Sequence, residues 1–236
     1  PLSREQILHN ARTYQDQVWK VLDRERIADL EFADRMRPLQ DTATLARLDD
    51  DLEVMLSSNG DQPMISPNGE WAMVFNGEIY NFQEIKDSLP QGKFTFKGHS
   101  DSEIILCAFE HFGVMHTARM LDGMFAIALY YIPAKKLYLL RDFAGIKPLF
   151  YAEKNGNVVF GSQYDQISSH PLFRTAALHQ DVLLLYLQQH FMPAPFGILQ
   201  NTHQLKPGEI ISFDSHGKKD STFFWNFPEL QENFIS

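Results

Sequence analysis

One cysteine, Cys107, occurs in 236 residues. No intrachain disulfide can staple the chain and no thiolate cluster can hold a metal, which fits a reducing, cytoplasmic setting. A run of about 18 apolar residues, the length a membrane span needs, is also missing. Pro1-Leu2-Ser3-Arg4-Glu5-Gln6 lacks the basic start and apolar middle of a secretory signal. Cations are in short supply: 21 Lys and Arg stand against 30 Asp and Glu, giving a formal charge of −9 and a pI near 5.4. Nucleic acid and anionic membrane surfaces are held by clustered Lys and Arg, so neither is an expected partner. No internal repeat or low-complexity tract is present. What is present is 44% hydrophobic and 13% aromatic content, enough to bury the core of one large domain, or of one domain with an appendage.

Composition changes along the chain. Residues 1–56 are rich in charge and helix formers, whereas residues 57–236 alternate short apolar runs with Gly, Asn and Pro turns, so a boundary is placed near Leu56-Ser57. In the first part Ser3 and Gln6 read as a capping box, and Ile7, Ala11, Tyr14, Val18 and Val21 recur on one helical face, which predicts a helix from about Arg4 to Leu22. Asp49-Asp50-Asp51 reads as a solvated acidic turn or helix end, because no partner ligands are spaced around it to hold a metal. In the second part strands are expected at Trp71 to Phe75, Met124 to Tyr131, Lys136 to Arg141, Leu149 to Ala152, Val158 to Ser162 and Glu209 to Phe213. Helices are expected at Phe82 to Leu89, Ser102 to Phe112, Met115 to Leu121 and Asp181 to Gln189. Strands run together and helices group, which favours a layered α+β fold over a parallel doubly wound sheet.

The chemistry is concentrated after the first of these strands. Asn76-Gly77 could aim a side-chain amide and a backbone N–H at one point, two fixed donors of the kind that stabilise charge developing on a carbonyl oxygen. The same dipeptide after a strand is also the commonest hairpin turn. Asp101 reads as a helix N-cap or first-turn acid before Ile104-Ile105, a very common role.

Several motifs occur in order: Asp61-Gln62-Pro63-Met64, Phe75-Asn76-Gly77-Glu78-Ile79-Tyr80-Asn81, Ser100-Asp101-Ser102-Glu103, Leu121-Asp122-Gly123-Met124-Phe125-Ala126, and Arg141-Asp142-Phe143-Ala144-Gly145-Ile146-Lys147-Pro148-Leu149. Together they resemble the N-terminal glutaminase domain, a class II glutamine amidotransferase domain, of glutamine-hydrolysing asparagine synthetases, over roughly Ser57 to the C-terminus. The resemblance implies the four-layer αββα sandwich of N-terminal-nucleophile hydrolases and cleavage of glutamine to glutamate and ammonia without a cofactor. It implies that Asn76 and Gly77 form an oxyanion hole, that Glu78 lies along the bound glutamine or related small amide, and that Asp101 pairs with its α-ammonium. Arg141-Asp142 and Gly145-Ile146-Lys147-Pro148 match the pattern too, but a turn stabilised by an ion pair explains them better than catalysis does.

The departures from that pattern are specific. Enzymes of the family use a cysteine as residue one of the mature chain, the thiolate attacking while the α-amine, with a pKa near ~8, moves the proton. Pro1 stands first here, and its secondary amine offers only a base. Cys107 lies in the stripe Ile104, Ala108, Phe112 and reads as a buried structural thiol. Counting back from Gln62, the family's His-Arg-Leu-Ser strand falls on Asp49, Asp50, Asp51 and Leu52, which puts Asp50 where a carboxylate-binding arginine belongs. Residues 1–26 in turn look similar to a helical stretch of bacterial tyrosyl-tRNA synthetases, with neither that family's His-x-Gly-His nor its Lys-Met-Ser-Lys-Ser element. A junction of unrelated segments accounts for both missing groups. The Ser-Gly-Gly-x-Asp-Ser pyrophosphate loop of the synthetase half is absent as well, so asparagine formation would call for a separate synthetase subunit. Three readings stay open: an active glutaminase, a domain that binds glutamine or a partner without hydrolysing it, and a fusion or fragment keeping the scaffold alone.

Overall fold

The computed structural model describes the backbone of residues 44–47 and residues 62–96 and 100–225, all within one compact unit, Thr42–Ser236. The expected helix from Arg4 to Leu22, the Asp49-Asp50-Asp51 turn and Pro1 lie outside the described residues.

Among the described residues ten strands form two antiparallel sheets. The larger has the order β10-β9-β5-β4-β3-β2, where β2 is Met64–Ile65, β3 Trp71–Ile79, β4 Gly123–Tyr131, β5 Lys136–Arg141, β9 Glu209–Phe213 and β10 Lys219–Phe223. The smaller has the order β1-β7-β6-β8, with β1 Thr44–Arg47, β6 Phe150–Lys154, β7 Asn157–Gly161 and β8 Thr202–Gln204. Five helices complete the described residues: α1 Phe82–Ser88, α2 Asp101–Phe112, α3 Val114–Met120, α4 Tyr164–Ser169 and α5 Gln180–Gln189.

The layers follow from which residues each face buries. Met73, Phe75, Ile79, Phe125, Ile127 and Leu129 point from β3 and β4 into one core with Ile85 of α1, Ile105 and Phe109 of α2 and Ala118 of α3. The alternate residues Ala72, Ala126 and Ala128 point the other way, into a second core with Tyr151, Val158 and Phe160 of the smaller sheet. Ala152 and Val159 leave the far face of that smaller sheet to pack on Ile167 of α4 and on Phe173. Helices, sheet, sheet and helix are therefore stacked in the αββα order. β4 reads as an almost unbroken apolar run because it is covered on both faces.

Local signals set the helix that matters most for the site. The Ser100 hydroxyl accepts the Glu103 N–H at 3.3 Å, capping α2, and Asp101 and Glu103 in the first turn oppose the helix dipole. Gly113, at φ +78°, ends the helix in a conformation that side chains with a Cβ seldom adopt, and α3 starts at once.

Two expectations need correcting in detail. β3 does not stop at Phe75. It runs on through Asn76, Gly77 and Glu78 to Ile79, paired residue by residue with β4 down to Ile79↔Gly123. The Arg141-Asp142 turn is held by backbone hydrogen bonds more than by an ion pair: Arg141 donates to the carbonyls of Lys147, Leu205 and Gly145 at 2.8, 2.6 and 2.6 Å. Asp142, fully buried, accepts the N–H groups of Phe125, Ala144, Ile146 and Lys147 at 3.3, 3.1, 2.8 and 2.9 Å. Burial pushes the Arg141 guanidinium below its ordinary range while the Asp142 charge pulls it back up.

Candidate functional site

Asn76 and Gly77 lie inside a strand, so the hairpin reading of this dipeptide does not hold. A strand alternates its hydrogen-bonding direction as well as its side chains. Phe75 turns its N–H and C=O away from β4, and both are taken by one side chain: Gln62 Nε2 donates to Phe75 O at 2.9 Å and Phe75 N–H donates to Gln62 Oε1 at 2.9 Å. The Gln62 carboxamide thus prolongs the ladder that β2 makes with Met73 and Ala72. Four residues on from Phe75, Ile79 turns its N–H the same way and donates to Asp101 Oδ2 at 3.0 Å. Gly77 sits between them with the same parity. Its N–H points out of the open edge of β3, flanked by a carboxamide on one side and a carboxylate on the other, with no partner among the described residues.

Only glycine fits there. A Cβ on Gly77 would stand 2.1 Å from Met124 O and 2.8 Å from Phe125 Cα. The converse holds across the ladder, where a Cβ on Gly123 would stand 2.2 Å from Glu78 O and 2.9 Å from Ile79 Cα. Two glycines flanking the Glu78↔Met124 pair let β3 and β4 close at this point.

The Asn76 side chain leaves the opposite face from Phe75, toward the smaller sheet. Its Nδ2 donates to Ser162 Oγ at 2.8 Å, one residue past the end of β7. One Nδ2 proton remains beyond that bond, and Asn76 is exposed. Asp101 accepts the Ser102 N–H at 2.7 Å and the Ser102 hydroxyl at 3.2 Å besides the Ile79 N–H. These bonds fix the carboxylate at the start of α2 and leave it half-buried. From Gly77 to the residue that Asp101 grips is two residues of strand, about 6.8 Å of rise. Glu78 is exposed and projects from the same face as Asn76. Asn81 locks the strand end, its Nδ2 donating to Met120 O at 2.8 Å and its Oδ1 accepting the Asp122 N–H at 2.9 Å.

The structure therefore brings Asn76, Gly77, Glu78 and Asp101 together along one strand end. Gln62 and Ser162 were not singled out in the sequence. Gln62 falls within the matched motif Asp61-Gln62-Pro63-Met64, which was its only signal. Ser162 had none, being 86 residues from the side chain it meets.

Cys107 is elsewhere. It is 2% exposed, in the helix-side core between α2 and the sheet, and burial together with Glu110 and Glu103 pushes its thiol up to about 12. The sheet separates it from the face that carries Asn76. Asp49 to Leu52, including Asp50, lie outside the described residues; the strand found in that region is β1, Thr44–Arg47, which pairs with β7 from Thr44↔Phe160 to Arg47↔Asn157. Among the described residues no group of three His, Cys, Asp or Glu could hold a metal ion, and no helix is long and apolar enough to cross a membrane.

Comparison with known proteins matches residues 45–225 to the glutamine amidotransferase domain family. Two asparagine synthetases [glutamine-hydrolyzing] of Bacillus subtilis (strain 168) are similar: number 2 is 38% identical over 120 residues, 51% of this chain, and number 1 is 30% identical over 172 residues, 73% of this chain. The matched stretches span 16% and 26% of the length of those two relatives. Among solved structures, glutamine phosphoribosylpyrophosphate amidotransferase from B. subtilis, complexed with ADP and GMP, superposes with a TM-score of 0.49 at 19% identity, over 70% of this chain and 32% of that one.

Proposed function

Because the chain belongs to the glutamine amidotransferase domain family, as an asparagine synthetase-like member, we propose that it binds glutamine or a related small amide along the open edge of β3. The amide oxygen lies against the Gly77 N–H and the Asn76 Nδ2 proton, the α-ammonium pairs with Asp101, and Glu78 borders the ligand. The single observation that carries this reading is the Gly77 N–H, a fixed donor facing outward between the Gln62 carboxamide and the Asp101 carboxylate. Two preorganised donors would favour a carbonyl oxygen gaining negative charge, the hardware of acyl transfer.

Hydrolysis also needs a nucleophile, and the thiol of this sequence does not supply it. Cys107 is buried on the far side of the sheet, and at neutral pH a thiol shifted to about 12 is almost wholly protonated. These 236 residues then act as an amide-binding module that does not cleave its ligand through its own cysteine. Ammonia transfer would call for a thiol and a synthetase unit other than these residues, in the cytoplasm.

The test is titration calorimetry of the 236-residue chain with L-glutamine, alongside an ammonia-release assay. Saturable heat without ammonia is expected. No heat at millimolar glutamine would overturn the binding reading, and ammonia release abolished by Cys107→Ser would overturn the assignment of that thiol to the core.

A further inference from the structure

Resting on the amide-binding reading above, we propose that Ser162 is a positioning residue of this site: its hydroxyl anchors the Asn76 carboxamide, holding it where it can meet the ligand's carbonyl oxygen.

An Asn carboxamide turns about its last bond unless something grips it. Asn76 is exposed, so packing alone does not hold it in place. Ser162 Oγ does, 2.8 Å from Nδ2. A hydroxyl both donates and accepts, so what this bond fixes is the place and plane of the carboxamide, from which Nδ2 keeps a second proton for a carbonyl oxygen.

Ser162 is itself well held. It follows β7, whose Gly161 pairs with Phe150 and whose Phe160 is buried between the sheets. The next residue, Gln163, opens α4 with a capping box formed with Gln166. A Cβ on Gly161 would meet Gln166 Oε1 at 2.5 Å, so the turn carrying Ser162 packs directly on that cap. Asn76 belongs to the larger sheet and Ser162 to the end of the smaller one, so the donor pair is completed only where the two sheets meet.

The consequence is a selectivity, not merely an affinity. Losing the Ser162 hydroxyl frees the carboxamide to rotate and removes one net hydrogen bond's worth of anchoring, a weakening of about 3- to 10-fold. The loss should appear only for ligands that present a carbonyl oxygen to Asn76. Calorimetry on the full chain compares L-glutamine with L-2-aminohexanoate, which keeps the α-amine, the acid and an aliphatic chain but has no side-chain carboxamide. Ser162→Ala is expected to weaken glutamine by that factor and leave 2-aminohexanoate unchanged, and Ser162→Thr, which keeps the hydroxyl, to restore glutamine. In the ligand-free protein labelled with 15N-Asn, the Asn76 side-chain resonances, assigned through Asn76→Asp, are expected to show one hydrogen-bonded proton that is lost in Ser162→Ala and present in Ser162→Thr.

An equal loss for both ligands would mean a general loosening and overturn the proposal, as would an unchanged glutamine affinity or an unchanged Asn76 spectrum. If the wild-type chain binds neither ligand, the amide-binding reading falls and takes this role with it. Wild-type binding with no difference between the variants sinks the Ser162 role alone.

Discussion

Gly77→Ala is the sharpest perturbation the site offers. The new methyl would fall 2.1 Å from Met124 O and 2.8 Å from Phe125 Cα, both backbone atoms of the adjacent strand. No rotamer change relieves a clash with a main chain. Either β3 and β4 part locally or Gly77 rotates out of the ladder. Overpacking of this kind costs about 1–3 kcal/mol, with the upper end expected where backbone must move. For a domain of this size that corresponds to a fall in Tm of roughly 2–12 °C. Gly123→Ala creates the matching clash with Glu78 O at 2.2 Å on the other side of the same Glu78↔Met124 pair. Once one methyl has opened the ladder the second meets less resistance, so the double variant should lose less than the sum of the singles by about 0.5–1 kcal/mol or more. Urea denaturation at constant m gives the three stabilities, and calorimetry with glutamine gives the site. A Tm for Gly77→Ala within about 1 °C of wild type, or strict additivity of the pair, would refute the close approach of the two strands as its reason. Retained glutamine affinity would refute the placement of the amide oxygen at the Gly77 N–H.

Three further outcomes are expected. Asp101→Asn should weaken glutamine about 10- to 100-fold by removing a charge-assisted bond to the α-ammonium. Deamino-glutamine, which has no amine, should be affected little, and calorimetry with the two ligands separates this from damage to the Ile79 contact. Asp142→Asn sets an NH2 group against two of four buried N–H donors and should cost about 2–4 kcal/mol in urea denaturation; a loss below about 0.5 kcal/mol would mean the turn does not depend on that carboxylate. The Cys107 thiol, raised to about 12, is protonated in the folded state where the unfolded chain ionises. Its contribution to stability is therefore complete below about 8.5 and is lost as pH climbs from there toward about 12. Denaturation curves across that window should show a decline that Cys107→Ala removes, and a thiol reagent at pH 8 should label native protein slowly and unfolded protein fast.

The elements that could be read from sequence are those whose burial is one-sided or complete over a whole segment. β5 and β9 were placed with their observed ends, and the helix later found as α2 differed by one residue, because Ile104, Ile105 and Phe109 repeat at helical spacing after a Ser cap. β3 was cut short because Asn76 and Gly77 have turn composition. What keeps them in the strand is pairing with Ala126 and Phe125, which lie about fifty residues away in sequence. β10 was missed because Lys219 to Thr222 are exposed on an edge strand with no apolar alternation, and α4 because six residues capped by Gln163 in place of Ser or Asp leave little pattern. Asn76, Gly77, Glu78 and Asp101 were legible as candidates through motif order. Their supports were less so: the two bonds of Gln62 join residues 13 apart and the bond of Ser162 to Asn76 joins residues 86 apart, and nothing in a linear pattern encodes a side chain standing in for a strand.

The alanines between the sheets acquire a meaning beyond filling space. Ala72, Ala126 and Ala128 act as thin shims that fix how near Tyr151 and Phe160 of one sheet come to the other. Enlarging Ala72 or Ala128 to Val or Leu would pry the layers apart at a point removed from Asn76, whose own strand partner is Ala126. A fitted spacer of this kind ties chemical competence to the tolerance of the core, so that drift in recognition can begin with substitutions that a surface view of the molecule would never suspect.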